Sequence, residues 1–248
     1  MVGAMSKLDQ HGANRLIAAM PARDLAQLAP HLEIVPLRPR TVLAEPGGKL
    51  RYAYFPHSGV ICLMVALRKG ITETATIGPE GFVGFSALLG SKVVSQRFLV
   101  QVAGTASRLP IDALLPAVRR SPALQSLLLG YVRFFIVQAL QAVACNGLHN
   151  VRQRCARWLL MAHDRARANS FALPHQFLAE MLGIQRPSVT LVARALQDAG
   201  LIRYRRGMIT IVDRKGLERT ACECYGIVRK AYGEIVARPT RKRRRMAM

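Results

Sequence analysis

Acidic side chains are scarce in this chain of 248 residues, which has 14 Asp and Glu against 36 Lys and Arg. The shortage is greatest in the second half: residues 1–118 have 12 basic and 7 acidic side chains, whereas residues 119–248 have 24 and 7. A basic excess of this size indicates a polyanionic partner, either nucleic acid or an anionic membrane, unless the source proteome is Arg-rich throughout. Nucleic acid is favoured because its dense phosphates reward many Lys and Arg contacts through counterion release.

Cysteine is also infrequent, and its five positions are odd in number and widely scattered. No apolar segment typical of a secretory signal opens the chain, so we expect free thiols in a reducing cytoplasm. Cys222 and Cys224 are two apart, which differs from the usual two-residue-gap zinc pair. The cysteines are therefore predicted to hold no metal and no other cofactor, and a metal site at Cys222 and Cys224 is the alternative.

Motifs for catalysis are absent as well. The sequence has no nucleophile elbow, no phosphate-cradling loop and no metal-ligand cluster, so we expect no catalytic residues and no enzyme. The glycines from Gly78 to Gly84 lack the Lys and the spacing of a phosphate loop. The nearest approach to a membrane span, Leu124–Val151, contains Arg133 and several amides, whereas a span of about 20 residues would have few or no charges. A buried packing helix and no membrane partner are predicted instead.

Short runs rich in β-branched and aromatic residues, separated by glycines, fill the chain from Leu32 to Leu109 after a short helical segment at residues 14–31. This pattern is typical of a sandwich, a roll or a small barrel. The predicted strands are Leu32–Leu37, Tyr52–Phe55, Val60–Leu67, Ile71–Ile77 and Phe98–Val102.

A long, nearly uncharged helix follows, with Pro122 near its start and only Arg133 charged between Arg120 and Arg152. Its apolar positions alternate spacings of four and three, the pattern of a helix that packs along another helix. A helix with so few charges needs a partner on more than one face, so we favour a symmetric homodimer over burial in its own domain. The predicted interface residues are Leu124, Leu128, Tyr131, Phe135, Gln138, Ala142 and Cys145.

Residues 173–200 have the pattern of a helix, a tight turn and a second helix. Gly183 ends the first helix, as Gly does just past a helix C-terminus, and Pro187 lies in the first turn of the second, where its missing N–H costs nothing. This is the helix-turn-helix unit, whose second helix can enter the major groove. Two short strands, Leu201–Tyr204 and Met208–Val212, form a basic wing beside it. An ordinary helical hairpin with a solvated basic face is the alternative interpretation.

The predicted DNA contacts lie on the outward face of the second helix and on the wing. Arg186 can donate two parallel hydrogen bonds to guanine or hold a phosphate. Hydroxyl groups can bond phosphates or base edges, and the wing suits the sugar-phosphate backbone beside the groove. The predicted DNA-binding residues are Gln185, Arg186, Ser188, Thr190, Leu191, Arg194, Tyr204, Arg205 and Arg206.

Several motifs carry a resemblance to a known family. They include Leu43-Ala-Glu-Pro-Gly47, Tyr54-Phe-Pro56, Gly78-Pro-Glu-Gly-Phe-Val-Gly84, Arg157-Trp-Leu-Leu-Met161, Phe177-Leu-Ala-Glu-Met-Leu-Gly183 and Ala199-Gly-Leu-Ile202. In these motifs the chain resembles the Crp/Fnr family of bacterial transcription regulators, from about Asn14 to Tyr225, and the C-terminal motifs are the more specific.

The resemblance implies an α+β chain in three parts followed by a tail. Residues 14–118 are expected to form a cyclic-nucleotide-binding-like β-roll, residues 119–150 a dimerisation helix, and residues 151–230 a winged helix-turn-helix domain, with a basic tail at 231–248. The implied partners are double-stranded DNA at a near-palindromic operator, a second copy of the chain and an unidentified small-molecule effector. RNA polymerase is a further candidate partner.

Two departures from the cyclic-nucleotide-binding members of this fold change the expected ligand. Gly84 is followed by Phe85, where those members have an acid for the ribose, and Arg97 is followed by Phe98, where they have a hydroxyl or a small residue. The cysteine cluster of the oxygen-sensing branch is missing, since no cysteine precedes Cys62. We therefore expect a DNA-binding regulator that does not respond to cyclic AMP. The alternative is a sensor in which binding of a cyclic nucleotide or another small molecule is the main event.

Overall fold

A β-roll, one long helix and a small helical domain with its own sheet follow one another along the chain. The structure is a computed structural model that describes residues 10–68 and 70–236. The order of elements confirms the predicted fold class: an α+β protein with an N-terminal β-roll, a long helix and a C-terminal winged helix-turn-helix.

Two antiparallel sheets form the β-roll around one apolar core. The strands are β1 Glu33–Leu37, β2 Val42–Ala44, β3 Tyr52–Pro56, β4 Val60–Leu67, β5 Gly70–Ile77, β6 Arg97–Val102 and β7 Gly104–Pro110. One sheet has the order β1-β7-β3 and the other β2-β6-β4-β5. Phe55 and Leu109 from the first sheet are fully buried in the same cluster as Ile61 and Val100 from the second. The core of the N-terminal domain therefore lies between the two sheets.

Strand β4 is buried on both faces, which explains its continuous apolar run. Successive side chains of a strand point to opposite faces. Ile61 and Leu63 accordingly belong to the core of the roll, whereas Val60, Cys62 and Met64 belong to the apolar cluster of the C-terminal domain. A strand that is half exposed would instead alternate apolar and polar residues. The two domains thus pack against one shared strand.

The five predicted strands of the roll are confirmed within one residue at each end, but β2 and β7 were not predicted. β7 is central in its sheet although it contains Thr105 and Ser107. Ser107 is fully buried because its hydroxyl lies 2.7 Å from Nε2 of His57 and 2.6 Å from Nδ1 of His11. Buried polar groups need hydrogen-bond partners, and here the partners come from distant segments. A buried serine interrupts the alternation of apolar and polar residues that predicts a strand, so β7 was missed.

Helices make up most of the remaining structure. They are α1 Arg15–Ala18, α2 Ala22–Leu28, α3 Phe85–Leu88, α4 Ile111–Arg120, α5 Pro122–Leu148, α6 Val151–Ala166, α7 His175–Leu182, α8 Arg186–Asp198, α9 Arg214–Thr220 and α10 Cys224–Val236. The C-terminal domain also has β8 Ser170–Ala172, β9 Ile202–Arg205 and β10 Met208–Ile211, in the order β8-β10-β9. Ser121 caps α5 by accepting from the N–H of Leu124 at 3.2 Å, and Asn150 begins α6 with a capping box.

The long helix α5 is, among the described residues, the one helix with the length and composition to cross a membrane. Its contacts indicate a different role, because one side of it packs into the chain. Tyr131 and Phe134 lie in the core of the roll, and the ring of Phe134 also meets that of Tyr232 on α10 at a centroid distance of 5.2 Å. These contacts agree with the predicted packing helix.

The predicted boundary of the basic tail at residue 231 needs correction. Residues 231–236 continue α10, which begins at Cys224. The helix extends this far because Tyr232 packs on Phe134 and lies under the guanidinium of Arg15, 5.3 Å from the ring centroid. The remainder of the predicted tail, residues 237–248, lies outside the described residues.

A buried ion pair joins the roll to the C-terminal domain. Arg165, near the end of α6, is 2.6 Å from Oε1 of Glu80 in the loop after β5, and their side chains are 7% and 10% exposed. Arg165 also donates to the side-chain oxygen of Gln138 on α5 at 3.0 Å and to the carbonyl of Met161 at 3.0 Å. Gln138 in turn donates to the carbonyl of Thr76 at 2.8 Å. We call the three residues Glu80, Gln138 and Arg165 the interdomain clamp.

Two glycines of the loop after β5 leave room for this packing. A Cβ atom at Gly78 would overlap the side chain of Arg165, and one at Gly81 would overlap the ring of Tyr131. Any larger residue at either position would displace a buried side chain. Gly78 and Gly81 therefore allow close packing against α6 and α5.

Removal of the charge of Glu80 should destabilise the fold strongly. In Glu80→Gln the guanidinium of Arg165 stays buried without its counter-charge, so we expect the free energy of unfolding to fall by about 3–5 kcal/mol. Denaturant titration followed by circular dichroism measures this value. The matched control is Asp112→Asn, which breaks the Lys92–Asp112 pair, whose side chains are 54% and 85% exposed and which should contribute less than about 1 kcal/mol. Equal losses in the two variants would contradict the clamp.

Candidate nucleic-acid interface

The turn between α7 and α8 is closed by a glycine in the left-handed conformation. Gly183 has φ +63°, a conformation that residues with a Cβ atom rarely adopt. The N–H of Ile184 then donates to the carbonyl of Ala179 at 3.1 Å, which satisfies one of the last carbonyls of α7. The chain reverses over residues 183–185, and α8 begins at Arg186.

Helix α8 has one buried face and one face toward solvent. Val189, Ala193 and Leu196 are buried at spacings of four and three, as expected for the inner face of an amphipathic helix. The predicted DNA contacts on this segment all lie outside that face and are exposed: Gln185, Arg186, Ser188, Thr190, Leu191 and Arg194. The structure thus brings these six residues together on one accessible surface, which we call the α8 face.

The two arginines of the α8 face are free to meet an external anion. Within the described residues, Arg186 has no ion-pair partner. Arg194 has a loose pair with Asp198 at 3.8 Å, and both side chains are more than two-thirds exposed. Such an exposed pair adds little stability and is readily exchanged. Gln185 precedes the helix without capping it, so the first turn of α8 also favours an anion.

Thr190 is exposed, but its hydroxyl already has partners in the chain. The hydroxyl donates to the carbonyl of Arg186 at 3.2 Å and lies 3.1 Å from Nδ1 of His175 on α7. A contact from Thr190 to DNA would therefore compete with a bond between the two helices of the motif. Leu191 is 71% exposed, which suits apolar contact with a thymine methyl group.

The wing is a two-residue hairpin between β9 and β10. Arg205 pairs with Met208 across the turn, and Arg206 and Gly207 have φ +50° and +78°. Positive φ at both central residues is the feature of a type I′ turn, whose twist matches that of paired strands. Arg205 and Arg206 are exposed at the tip. The predicted strands of the wing, Leu201–Tyr204 and Met208–Val212, are each confirmed within one residue.

Tyr204, a predicted DNA contact, is half-buried and makes several contacts inside the chain. Its hydroxyl donates to the carbonyl of Leu173 at 3.1 Å, and its ring stacks on that of His175 at a centroid distance of 4.3 Å. Its backbone N–H donates to the side chain of Gln197 at 2.8 Å. Tyr204 therefore holds the wing against α7 and α8. Sequence reasoning missed His175 and Gln197 because their role depends on a contact between three separate elements.

The turn between α7 and α8 lies against the β-roll. Gly183 and Arg186 line a groove of about 970 Å³ together with Ile71 and Thr72 of β5. A Cβ atom at Gly183 would lie 3.0 Å from the hydroxyl of Thr72. The guanidinium of Arg40 in the roll also lies 4.8 Å from the ring centroid of Phe177 on α7. The beginning of α8 is thus adjacent to the β4–β5 hairpin.

The predicted dimer interface is wrong in its choice of face. Most residues of the seam Leu124–Cys145 are buried by the chain itself: Leu124, Leu128, Tyr131, Phe135, Gln138 and Cys145 are buried, and Ala142 is half-buried. Tyr131 meets the ring of Phe82 in the roll at 5.4 Å. The seam therefore packs against the roll and the C-terminal domain, and it is not available to a second copy of the chain.

A second apolar row on α5 is exposed. Leu129, Ile136, Leu140 and Val143 are 39%, 51%, 65% and 72% exposed. Their spacings of seven, four and three continue the heptad pattern on the side opposite the seam. Arg133 lies in the same row. We call this row the outer stripe of α5.

Aromatic rings fill the roll where cyclic-nucleotide-binding members of this fold have polar groups. The ring of Phe85 lies 4.4 Å from that of Phe135 on α5 and 6.3 Å from that of Phe98. Arg97 points to Glu45, with an Nε–Oε2 distance of 2.8 Å. The position after Gly84 thus contributes to packing between the roll and α5.

The C-terminal domain matches a known family. Residues 153–220 match the family of Crp-like helix-turn-helix domains. The match extends from α6 to α9 and so contains the α8 face and the wing. No protein of curated function matches the sequence.

Solved structures of transcription regulators share the fold of about three-quarters or more of this chain. A regulator of the Crp/Fnr family from Eubacterium rectale is 16% identical, with a TM-score of 0.65, over 84% of this chain and 98% of that chain. A Crp/Fnr-family regulator from Thermus thermophilus is 24% identical, with a TM-score of 0.62, over 76% and 98%. FixK2 from Bradyrhizobium japonicum is 16% identical, with a TM-score of 0.65, over 77% and 98%. At these identities the similarity shows the shared fold.

The tip of the wing allows a charge to be removed without disturbing the turn. In Arg206→Asn the new residue tolerates positive φ and is favoured before Gly in a type I′ turn, so the hairpin should remain intact. If Arg206 contacts phosphate, the magnitude of the slope of log affinity for DNA against log salt should decrease by about 1 per bound chain, with the preferred sequence unchanged. Binding titrations at several salt concentrations measure the slope. An altered sequence preference would contradict a backbone contact.

Proposed function

We propose that this chain, which has the fold of the Crp/Fnr transcription regulators and contains a Crp-like helix-turn-helix domain, is a dimeric, sequence-specific DNA-binding regulator of transcription. The observation that carries the proposal is the α8 face, where exposed arginines without strong partners lie beside a basic wing. A helix presented in this way can read base edges in the major groove while the wing contacts the backbone.

The outer stripe of α5 is the surface by which two copies would pair. It is apolar, it has heptad spacing, and it lies on a helix of 27 residues, about 40 Å long at 1.5 Å per residue. Two such helices packed side by side remove the stripe from water. Dimerisation along α5 relates the two α8 faces by a twofold axis, so we expect two half-sites of a near-palindromic operator, one helical turn apart.

The effector of this regulator is not expected to be cyclic AMP. The packing of Phe85 against Phe98 and Phe135 supports an apolar role for the positions that would hold the ribose and the phosphate. An effector of another kind would act by changing the angle between the roll and the C-terminal domain. This change would alter the fraction of molecules that can bind DNA. We expect the protein to act in the cytoplasm and to catalyse no reaction. Its expected partners are DNA and RNA polymerase.

The α8 face can be tested at Arg186. Fragments selected from random DNA by the full chain supply the operator. Arg186→Ala should then weaken operator binding by about 1–3 kcal/mol and relax the preference at one base position if Arg186 reads a base. The control is Arg119→Ala, which removes an exposed arginine at the end of α4 in the N-terminal domain. Operator affinity that is unchanged in Arg186→Ala, or equally reduced in both variants, would remove Arg186 from the recognition surface.

The outer stripe can be tested by adding charge to it. The double variant Ile136→Asp with Val143→Asp should sediment as a monomer and lose operator binding, because two buried carboxylates per helix oppose pairing. Its circular dichroism should stay that of the wild type, since both positions are exposed in the single chain. Leu89→Asp, at an apolar position that is 62% exposed on the roll, should remain a dimer. A dimeric double variant would show that the chain pairs through another surface.

A further inference from the structure

Three cysteines and a histidine from two distant parts of the chain converge where α5 meets the C-terminal domain. Cys145 and His149 lie one turn apart at the end of α5, and Cys222 and Cys224 lie at the beginning of α10. One ligand atom from each side chain lies within 4.8 Å of all the others. We call these four residues the cysteine–histidine cluster.

Two distances between ligand atoms match the edges of a tetrahedral metal site, and the other ligand atoms all lie within 4.8 Å of one another. The Sγ atoms of Cys145 and Cys222 are 3.5 Å apart, and Sγ of Cys224 is 3.5 Å from Nδ1 of His149. Zinc bonds to sulfur at about 2.3 Å and to imidazole nitrogen at about 2.0–2.1 Å, which gives tetrahedral edges of about 3.5–3.8 Å. An iron–sulfur cluster would place several metal and sulfide atoms between its thiolates and hold them farther apart.

We propose that the cysteine–histidine cluster binds one zinc ion in tetrahedral coordination, through three thiolates and Nδ1 of His149. Three cysteines with one histidine form a common ligand set of structural zinc sites. All four positions of a tetrahedron are taken by protein ligands, so the ion has no open position for a substrate. The site is therefore structural, and it joins the end of α5 to the beginning of α10.

The groups around the cluster are those that orient metal ligands. Nε2 of His149 lies 3.2 Å from Oε1 of Glu223, and a carboxylate on the second nitrogen holds a metal-binding imidazole in the right tautomer and direction. The side-chain amide of Gln141 donates to Sγ of Cys224 at 3.1 Å. Neither residue belongs to the ligand set, yet each fixes a ligand atom toward the centre of the cluster.

Burial and charge agree with a bound cation. Cys145, Cys222 and Cys224 are at most 4% exposed, so the three thiols lie together in the interior of the chain. Three thiolates and Zn²⁺ together have a charge of about −1, and Arg154 and Arg157 act electrostatically on Cys145. The surroundings thus balance the charge that a zinc tris-thiolate site would have.

Metal uptake by the full chain tests the proposal. Protein kept reduced with a phosphine and freed of metal with a chelator is titrated with Zn²⁺ alone, and bound zinc is measured by mass spectrometry. We expect one zinc per chain. With Co²⁺ instead, the absorption spectrum should show sulfur-to-cobalt charge transfer and the intense visible bands of a tetrahedral site. The assay contains no DNA, so its failure is distinguishable from failure of DNA binding.

Variants distinguish zinc binding at the cysteine–histidine cluster from zinc binding by other cysteines. Cys145→Ala and Cys222→Ala should each lose stoichiometric binding, whereas Cys155→Ala, which changes a buried cysteine of α6 outside the cluster, should bind zinc as the wild type does. Glu223→Gln alters a side chain that is 70% exposed, so it should fold normally. It should bind zinc about 10–100-fold more weakly, the usual effect of losing such a partner.

Thermal unfolding supplies a second readout that does not depend on the cysteine variants. Zinc in excess over Kd should raise Tm of the wild-type chain, because a ligand that binds only the folded state stabilises it, and should raise Tm of Glu223→Gln less. Four outcomes would overturn the proposal: no stoichiometric uptake, a weak octahedral cobalt spectrum, uptake that is equal in Cys145→Ala and wild type, or iron and sulfide bound in place of a single ion.

Discussion

The buried ion pair between Arg165 and Glu80 sets the position of the C-terminal domain relative to the roll. Its two charges come from different domains, and Gln138 of α5 binds Arg165 from a third element at 3.0 Å. Replacement of such a pair by apolar residues is often neutral for stability, whereas loss of one partner is costly. The pair is thus better suited to fixing an orientation than to adding stability. The same packing requires glycine at positions 78 and 81, because a Cβ atom at Gly78 or Gly81 would take the space that Arg165 or Tyr131 occupies.

The two-sided burial of β4 and the one-sided burial of α5 are consequences of this orientation. With the C-terminal domain against the roll, β4 is covered on its second face by residues such as Trp158 and Leu159. The inner side of α5 is covered by the roll and by α10, whereas the outer stripe stays exposed and accessible to a second chain. Heptad spacing on a helix that is apolar on most sides fits both the seam and the outer stripe, so periodicity alone could not choose the dimer face. The choice depends on which side the rest of the chain covers.

Local signals in the sequence were enough for the winged helix-turn-helix. Gly183, Pro187 and the apolar spacing of α8 depend only on neighbours a few residues away, and the structure places them as expected. Features that depend on distant contacts were missed. β7 is polar because Ser107 meets two histidines, and Tyr204 turns inward because Leu173 accepts its hydroxyl. The cysteine–histidine cluster had a signal in the i, i+4 spacing of Cys145 and His149, which places both on one helix face, but its other half lies more than 70 residues away.

Helix α6 is restrained near both ends by groups that belong to other elements. At its beginning, His149 of the cysteine–histidine cluster lies just before the capping residue Asn150, so the joint between α5 and α6 is next to the cluster. Near its end, Arg165 is held by Glu80 and Gln138. Rotation of the C-terminal domain about the joint would leave the cluster close to the axis and carry Arg165 away from Glu80. A change in the angle between the C-terminal domain and the roll would therefore have to separate Arg165 from Glu80.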